Sequence, residues 1–268
     1  MIERMPAAQP PTSHLGQLLT HRGLVWWHTV HLGAMVAALL LSPASWRGAR
    51  RAPLLRPLVA DALPLLLWFS LLSALISLVI THIVQVAALS YGLSQYALQM
   101  VVQVLVLELI PLTAALAVAL RVSLPAAVAL AQQRRSGRLA AFHGSGGDVL
   151  QQAVLPRALS SGVCVLLLAA ASSVIGLVLA YLLVHGLSPW GFERFTRSVG
   201  QVFNPTTSLI FCLKTGALAA AVAIIPLASS LHDHDSRRSP LPLELQGLLR
   251  LFVVLLAVEV VALMGNYY

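Results

Sequence analysis

Residues 96–120 read YALQMVVQVLVLELIPLTAALAVAL, twenty-five positions with one formal charge, Glu108, and one proline, Pro111, three positions after it. At 1.5 Å of rise per helical residue, such a run covers the roughly 30 Å hydrocarbon core of a bilayer. A charge near the bilayer centre costs a few kcal/mol at the least, so Glu108 is a functional candidate by default. The stretch therefore predicts a membrane-crossing helix that carries one such candidate.

Four more runs of the same kind flank it, at 63–89, 159–184, 205–231 and 245–264. The whole chain has 268 residues, 58% of them hydrophobic and 10% charged, with a mean hydropathy of +0.85. Soluble domains carry about 25% charged residues, so the expected class is an all-α integral membrane protein of five spans with no room for a separate soluble domain. The net charge of +8 does not read as a nucleic-acid surface, because the arginines stand at the ends of apolar runs rather than among aromatics on a soluble face. Cys164 and Cys212 sit singly inside apolar runs and read as small hydrophobes.

Upstream of the spans, residues 1–14 read as a flexible, proline-rich N-terminus and 15–60 as an interfacial helix followed by a basic linker. Leucines mixed with Trp26, Trp27 and His14, His21, His28 and His31 suit a helix lying in the headgroup region, bounded by Pro43. A cleaved signal peptide would have a cleaner apolar core. Residues 61–268 then form the five-span domain. With the N-terminus cytoplasmic, arginines 4, 22, 47, 50, 51, 56, 121, 134, 135, 138, 157, 237, 238 and 250 fall inside and only Arg194 and Arg197 outside. Fourteen against two predicts a cytoplasmic N-terminus and a C-terminus on the opposite side. The absence of an internal repeat argues against inverted-repeat secondary transporters.

Apart from Arg250 at the cytoplasmic end of the fifth, three formally charged residues stand inside spans: Glu108 about 12 residues into the second, Lys214 about 9 residues into the fourth, and Glu259 about 6 residues from the outer end of the fifth. Nine residues correspond to roughly 14 Å of depth. Lys214 thus lies between the two acids in depth and can pair with either. Two uses of such a group are open, an ion pair that fixes helix packing or the polar lining of an outward-facing cavity that receives a lipid headgroup. Pro111 is a candidate hinge, since proline removes an in-helix hydrogen bond.

Residues 126–150, with Arg134, Arg135, Arg138 and the run Gly144-Ser145-Gly146-Gly147, have the length of a cytoplasmic helix plus loop. Two uses are open here as well, docking of a motor subunit or a solvated basic loop on acidic lipids. The glycine run lacks the lysine and strand context of a phosphate loop, so any ATP and magnesium would be bound by another chain. No cofactor or metal is expected. His14, His21 and His28 share a helical face and His232-Asp233-His234-Asp235 reads as a solvated turn, neither completing a metal site. Paired intramembrane catalytic groups are also lacking, so the chain does not read as an enzyme.

Several position-specific features resemble the MlaE, or YrbE-type, permeases of bacterial ABC lipid transporters. That family carries Arg-Glu-x-Gly-Pro-Val in the second span followed by Gly-Arg-x-Gly; here the stretches are Leu107-Glu108-Leu109-Ile110-Pro111-Leu112 and Leu120-Arg121-Val122-Ser123, at the same spacing. The family's Val-x-Pro-Arg appears as Val154-Leu155-Pro156-Arg157, and its Leu-x-Lys-Ser is approximated by Leu213-Lys214-Thr215. Glu259 takes the place of an acid in the last span, before Leu263-Met264-Gly265-Asn266. Leu107 replaces the family's arginine, and Leu120 and Ser123 replace both glycines. The family's coupling segment, with its acid, Gly-x-Met and Glu-Gln pair, is replaced by 131–138, which is about two residues shorter.

The resemblance implies a homodimer of five-span subunits in the bacterial inner membrane, each with an N-terminal interfacial helix. It also implies a phospholipid cavity open to the periplasm, a cytoplasmic ABC ATPase and a periplasmic MCE-domain partner. On that reading Glu108, Pro111, Lys214 and Glu259 line or gate the lipid site. Arg121, Arg134, Arg135, Arg138 and Arg157 then belong to the cytoplasmic coupling end. The altered coupling segment favours a rival expectation, a non-transporting scaffold that anchors an MCE-type ring or another complex.

Overall fold

The computed structural model describes residues 51–93, 96–137, 153–232 and 243–267, together with His31, Gly33 and Ala34. Among these the regular elements are all helical. They are α1 (Arg51–Ser90), α2 (Ala97–Arg135), α3 (Leu155–His185), α4 (Phe192–Val202), α5 (Pro205–His232) and α6 (Leu243–Tyr267). Five of them contain stretches long and apolar enough to cross a membrane, at Ala62–Ser90, Ala97–Arg135, Leu155–His185, Pro205–Leu231 and Gly247–Asn266. These correspond to the five expected spans.

Two boundaries differ from the sequence reading. The first helix begins at Arg51, so Arg51 and Arg56 stand on a helical extension of the first span rather than in a linker. Leu54, Leu55 and Leu58 are good helix formers there. The second helix does not end near residue 120. It runs on through Ala126, Ala127, Ala129, Leu130 and Ala131 to Arg135, because that stretch also favours helix. A helix of 39 residues spans roughly 58 Å, so α2 projects well beyond a hydrocarbon core.

Helix α2 is the central element. It packs across α3 and α5, while α1 lies along α3, α3 along α5, and α5 along α6. The core between them is built from Ala114, Ala115, Val118 and Ala119 of α2, Cys164, Val165 and Leu168 of α3, Leu218 and Val222 of α5, and Leu251 and Leu255 of α6. Small residues bring α1 and α3 close. Ser73, Ser77 and Thr81 are buried on one face of α1, and Ser172, Ser173, Gly176 and Ala180 are buried on α3. A Cβ on Gly176 would lie 3.0 Å from Ile110 Cδ1 and 3.4 Å from Ser77 Oγ. Such small-residue seams let helices approach in lipid, where apolar burial alone gives little advantage to association.

Residues 188–204, between the third and fourth apolar runs, hold a further helix, α4. In α4, Phe195, Val199 and Val202 face the buried cluster at that end of the bundle, and Glu193, Arg194 and Arg197 face out. Tyr181 of α3 stacks on His185 with ring centroids 5.6 Å apart and meets Phe195 edge-on at 5.1 Å, while its hydroxyl donates to the Ser188 carbonyl at 2.6 Å. Gly191 is required where the chain turns back over this stack, since a Cβ there would lie 2.6 Å from His185 Cδ2.

Of the N-terminal region, His31, Gly33 and Ala34 are helical, and Gly33 lies against Ile224 of α5. Most of the expected interfacial helix, including His14, His21 and His28, lies outside the described residues. So do Arg138, the 144–147 glycine run and residues 233–235.

Candidate functional site

Span 2 is not a uniform α-helix. Val102–Leu109 and Ala119–Ser123 are π-helical, and each wide turn comes just before a proline near the start of the next α segment, Pro111 and Pro125. Proline has no N–H and its ring clashes with the carbonyl four residues back. A π turn is one way for a helix to pass such a residue, and such turns are frequent at functional sites. Pro111 thus leaves the Leu107 carbonyl without its α-helical donor.

Lys214 fills that vacancy from the next helix. Its Nζ donates to Leu107 O at 3.1 Å, to Glu259 Oε1 at 2.8 Å and to Glu108 Oε2. The sequence left Lys214 to pair with either acid; the structure brings it to both, so one ammonium ties α2, α5 and α6 together. Lys214 is buried, while Glu108 and Glu259 keep 14% and 12% of their side chains exposed. Glu108 belongs to a partly open stripe of α2 with Val104, Leu112, Leu116 and Leu120, on an otherwise largely buried helix. Glu259 Oε2 is buried without a hydrogen-bond partner. The carboxylates therefore stand at the edge of the cluster and the lysine at its centre.

The basic residues assigned to the coupling end separate into different roles. Arg134 donates to the Ser230 carbonyl at 3.3 Å and to the Leu231 carbonyl at 2.6 Å, at the C-terminal end of α5. Cations are favoured there by the helix dipole. Arg157 reaches Ala153 O at 3.0 Å and Gln133 Oε1 at 3.2 Å, joining α3 to the α2 extension. Arg121 and Arg135 are exposed, and Arg135 borders a shallow cleft with Leu124, Val128, Gln132 and Ser229. Ser123, where the family pattern has glycine, gives its hydroxyl to Val222 O at 2.5 Å. Both π turns of α2 are thus fastened to α5, one by Lys214 and one by Ser123.

A comparison of the chain with known families finds the one described as Permease MlaE, matching residues 56–264. The chain belongs to the MlaE permease family. The match covers four spans in full, the fifth as far as residue 264, and every residue of the Lys214 cluster. As an MlaE permease it is a multi-pass membrane subunit of a transporter and not itself the catalytic subunit. No curated protein matches it.

Sequence reasoning missed two parts of the site in this MlaE permease. One is the Leu107 carbonyl, which the position of Pro111 signals, because proline at one position frees the oxygen four residues before it. The other is the Ser123 tie to Val222, for which a lone serine gives no signal.

Proposed function

We propose that this MlaE permease is the membrane subunit of an ABC transporter that moves phospholipids or related lipids between the inner membrane and a periplasmic MCE-type partner. On this reading two copies of the chain enclose the lipid, the N-terminus is cytoplasmic and ATP is hydrolysed on a separate ATPase. The observation that carries the proposal is the intramembrane cluster of Lys214, Glu108 and Glu259, whose acidic edge opens along the Glu108 stripe of α2. Three charges kept inside the bilayer by the sequence call for a purpose beyond packing, given the cost of placing them there. The ties of Arg134 and Ser123 to α5 supply a physical route for coupling. A push on the α2 extension is carried to the helix that bears Lys214.

The test is to tag the chain, extract it from native membranes in mild detergent and identify its partners by mass spectrometry. An ABC-type ATPase at comparable abundance is the expected result. Recovery of membrane or periplasmic partners without an ATPase would replace the transporter reading with that of a scaffold.

A further inference from the structure

An ammonium group has three N–H donors and no acceptor. In Lys214 all three are engaged, by Leu107 O, Glu108 Oε2 and Glu259 Oε1. None is left to bind a lipid phosphate. What the cluster has to offer is acceptors, for Glu259 Oε2 is buried and unpartnered, and both carboxylates reach its edge. Two carboxyl groups stand against one ammonium, so acceptor oxygens exceed the donors within the cluster. The nearest arginines along the same helices are Arg121, 13 residues from Glu108, and Arg250, 9 residues from Glu259. At 1.5 Å per residue these are roughly 20 and 14 Å away along the helix axes.

Resting on the lipid-transport reading above, we propose that the cluster selects lipids whose headgroup carries a primary ammonium and disfavours headgroups that are only anionic. The ammonium would donate to the free oxygen of Glu259 and to the exposed edge of Glu108, making charge-assisted hydrogen bonds that are about twice as strong as neutral ones. A buried acceptor left unmade is costly, so the same contact relieves an unfavourable feature of the empty site. A lipid presenting only phosphate and hydroxyls brings further acceptors to a site whose own acceptors already outnumber its donors.

The experiment extracts the full chain with its native partners into polymer-bounded membrane discs and compares the co-purifying lipids with the surrounding membrane. ATP-dependent transfer is then measured with chain-matched ethanolamine, choline and glycerol phospholipids in competition. The ethanolamine lipid should be enriched over the glycerol lipid by roughly fivefold. The choline lipid, equally zwitterionic but without an N–H, should fall behind it. Glu259→Gln, which removes one negative charge and keeps an acceptor, should bring the ratio back toward that of the bulk membrane, and Glu108→Gln should move it the same way. Glycerol lipid bound and carried as well as ethanolamine lipid would overturn the headgroup proposal and leave the transport reading standing. Choline lipid carried equally well would overturn the hydrogen-bond basis of the selection. Failure to transfer any lipid with ATP would overturn both readings.

Discussion

Pro111 and Lys214 are complementary: the proline withholds the amide that would close on the Leu107 carbonyl, and the lysine of the neighbouring span supplies a donor to it at 3.1 Å. A break in one helix thereby becomes an attachment point for another. Pro111→Ala restores an N–H able to close the turn on Leu107, in competition with Lys214. The expected outcome is a chain that expresses and folds but transfers lipid several-fold more slowly, measured with the reconstituted transporter. Unchanged transfer would separate the proline from the working of the cluster.

Removal of Lys214 should be far more damaging than its size suggests. Lys214→Met leaves Glu108 and Glu259 near each other without a counter-ion, and breaking a buried pair in this way costs about 3–5 kcal/mol. A large fall in Tm is expected in detergent. Adding Glu108→Leu and Glu259→Leu to the same chain should recover most of that loss, since apolar groups can replace a buried ion cluster at little cost.

Arg134→Ala loosens the joint between the α2 extension and the end of α5. Hydrogen bonds from a charged group contribute about 1.5–3 kcal/mol each. The expected signature is continued ATP turnover by the assembled complex with reduced lipid transfer, and Arg134→Lys should restore part of the coupling through a single contact. Equal transfer in all three forms would remove Arg134 from the coupling path.

Gly191→Ala places a methyl 2.6 Å from His185 Cδ2 and displaces the Tyr181–His185 stack that seats α4. Overpacking of this kind costs about 1–3 kcal/mol. Faster proteolysis at α4 with the spans intact is the result expected. A proteolysis pattern like that of the unaltered chain would mean that the turn absorbs the methyl without loss.

The spans were legible in the sequence because length and hydropathy alone decide them, and 63–89 or 205–231 offer no competing structure. Glu108, Lys214 and Glu259 stood out for the same reason, as charges where charges are costly. Their depth placed Lys214 within reach of both acids, but single-chain periodicity does not say which helices are neighbours. The joint pairing had to come from the packing of α2, α5 and α6. The helix of span 2 continues past Arg121 because the alanines and leucines that follow sustain it to Arg135. Helix α4 is hard to read from sequence because its apolar positions, Phe195, Val199 and Val202, are spread among charged residues in a short stretch between spans. For Arg134 and Arg157 the sequence carries no signal of their partners, which are a carbonyl end and a glutamine side chain.

The most direct test of the claim that the Lys214 cluster belongs to the lipid path is ATP-dependent lipid transfer by the variant carrying Lys214→Met, Glu108→Leu and Glu259→Leu together. In that variant the helix packing is preserved and the polar site is gone. The account predicts a Tm near that of the unaltered protein, assembly with the ATPase intact and transfer reduced to background. Transfer at the unaltered rate would contradict it and leave the three charges as a packing device alone.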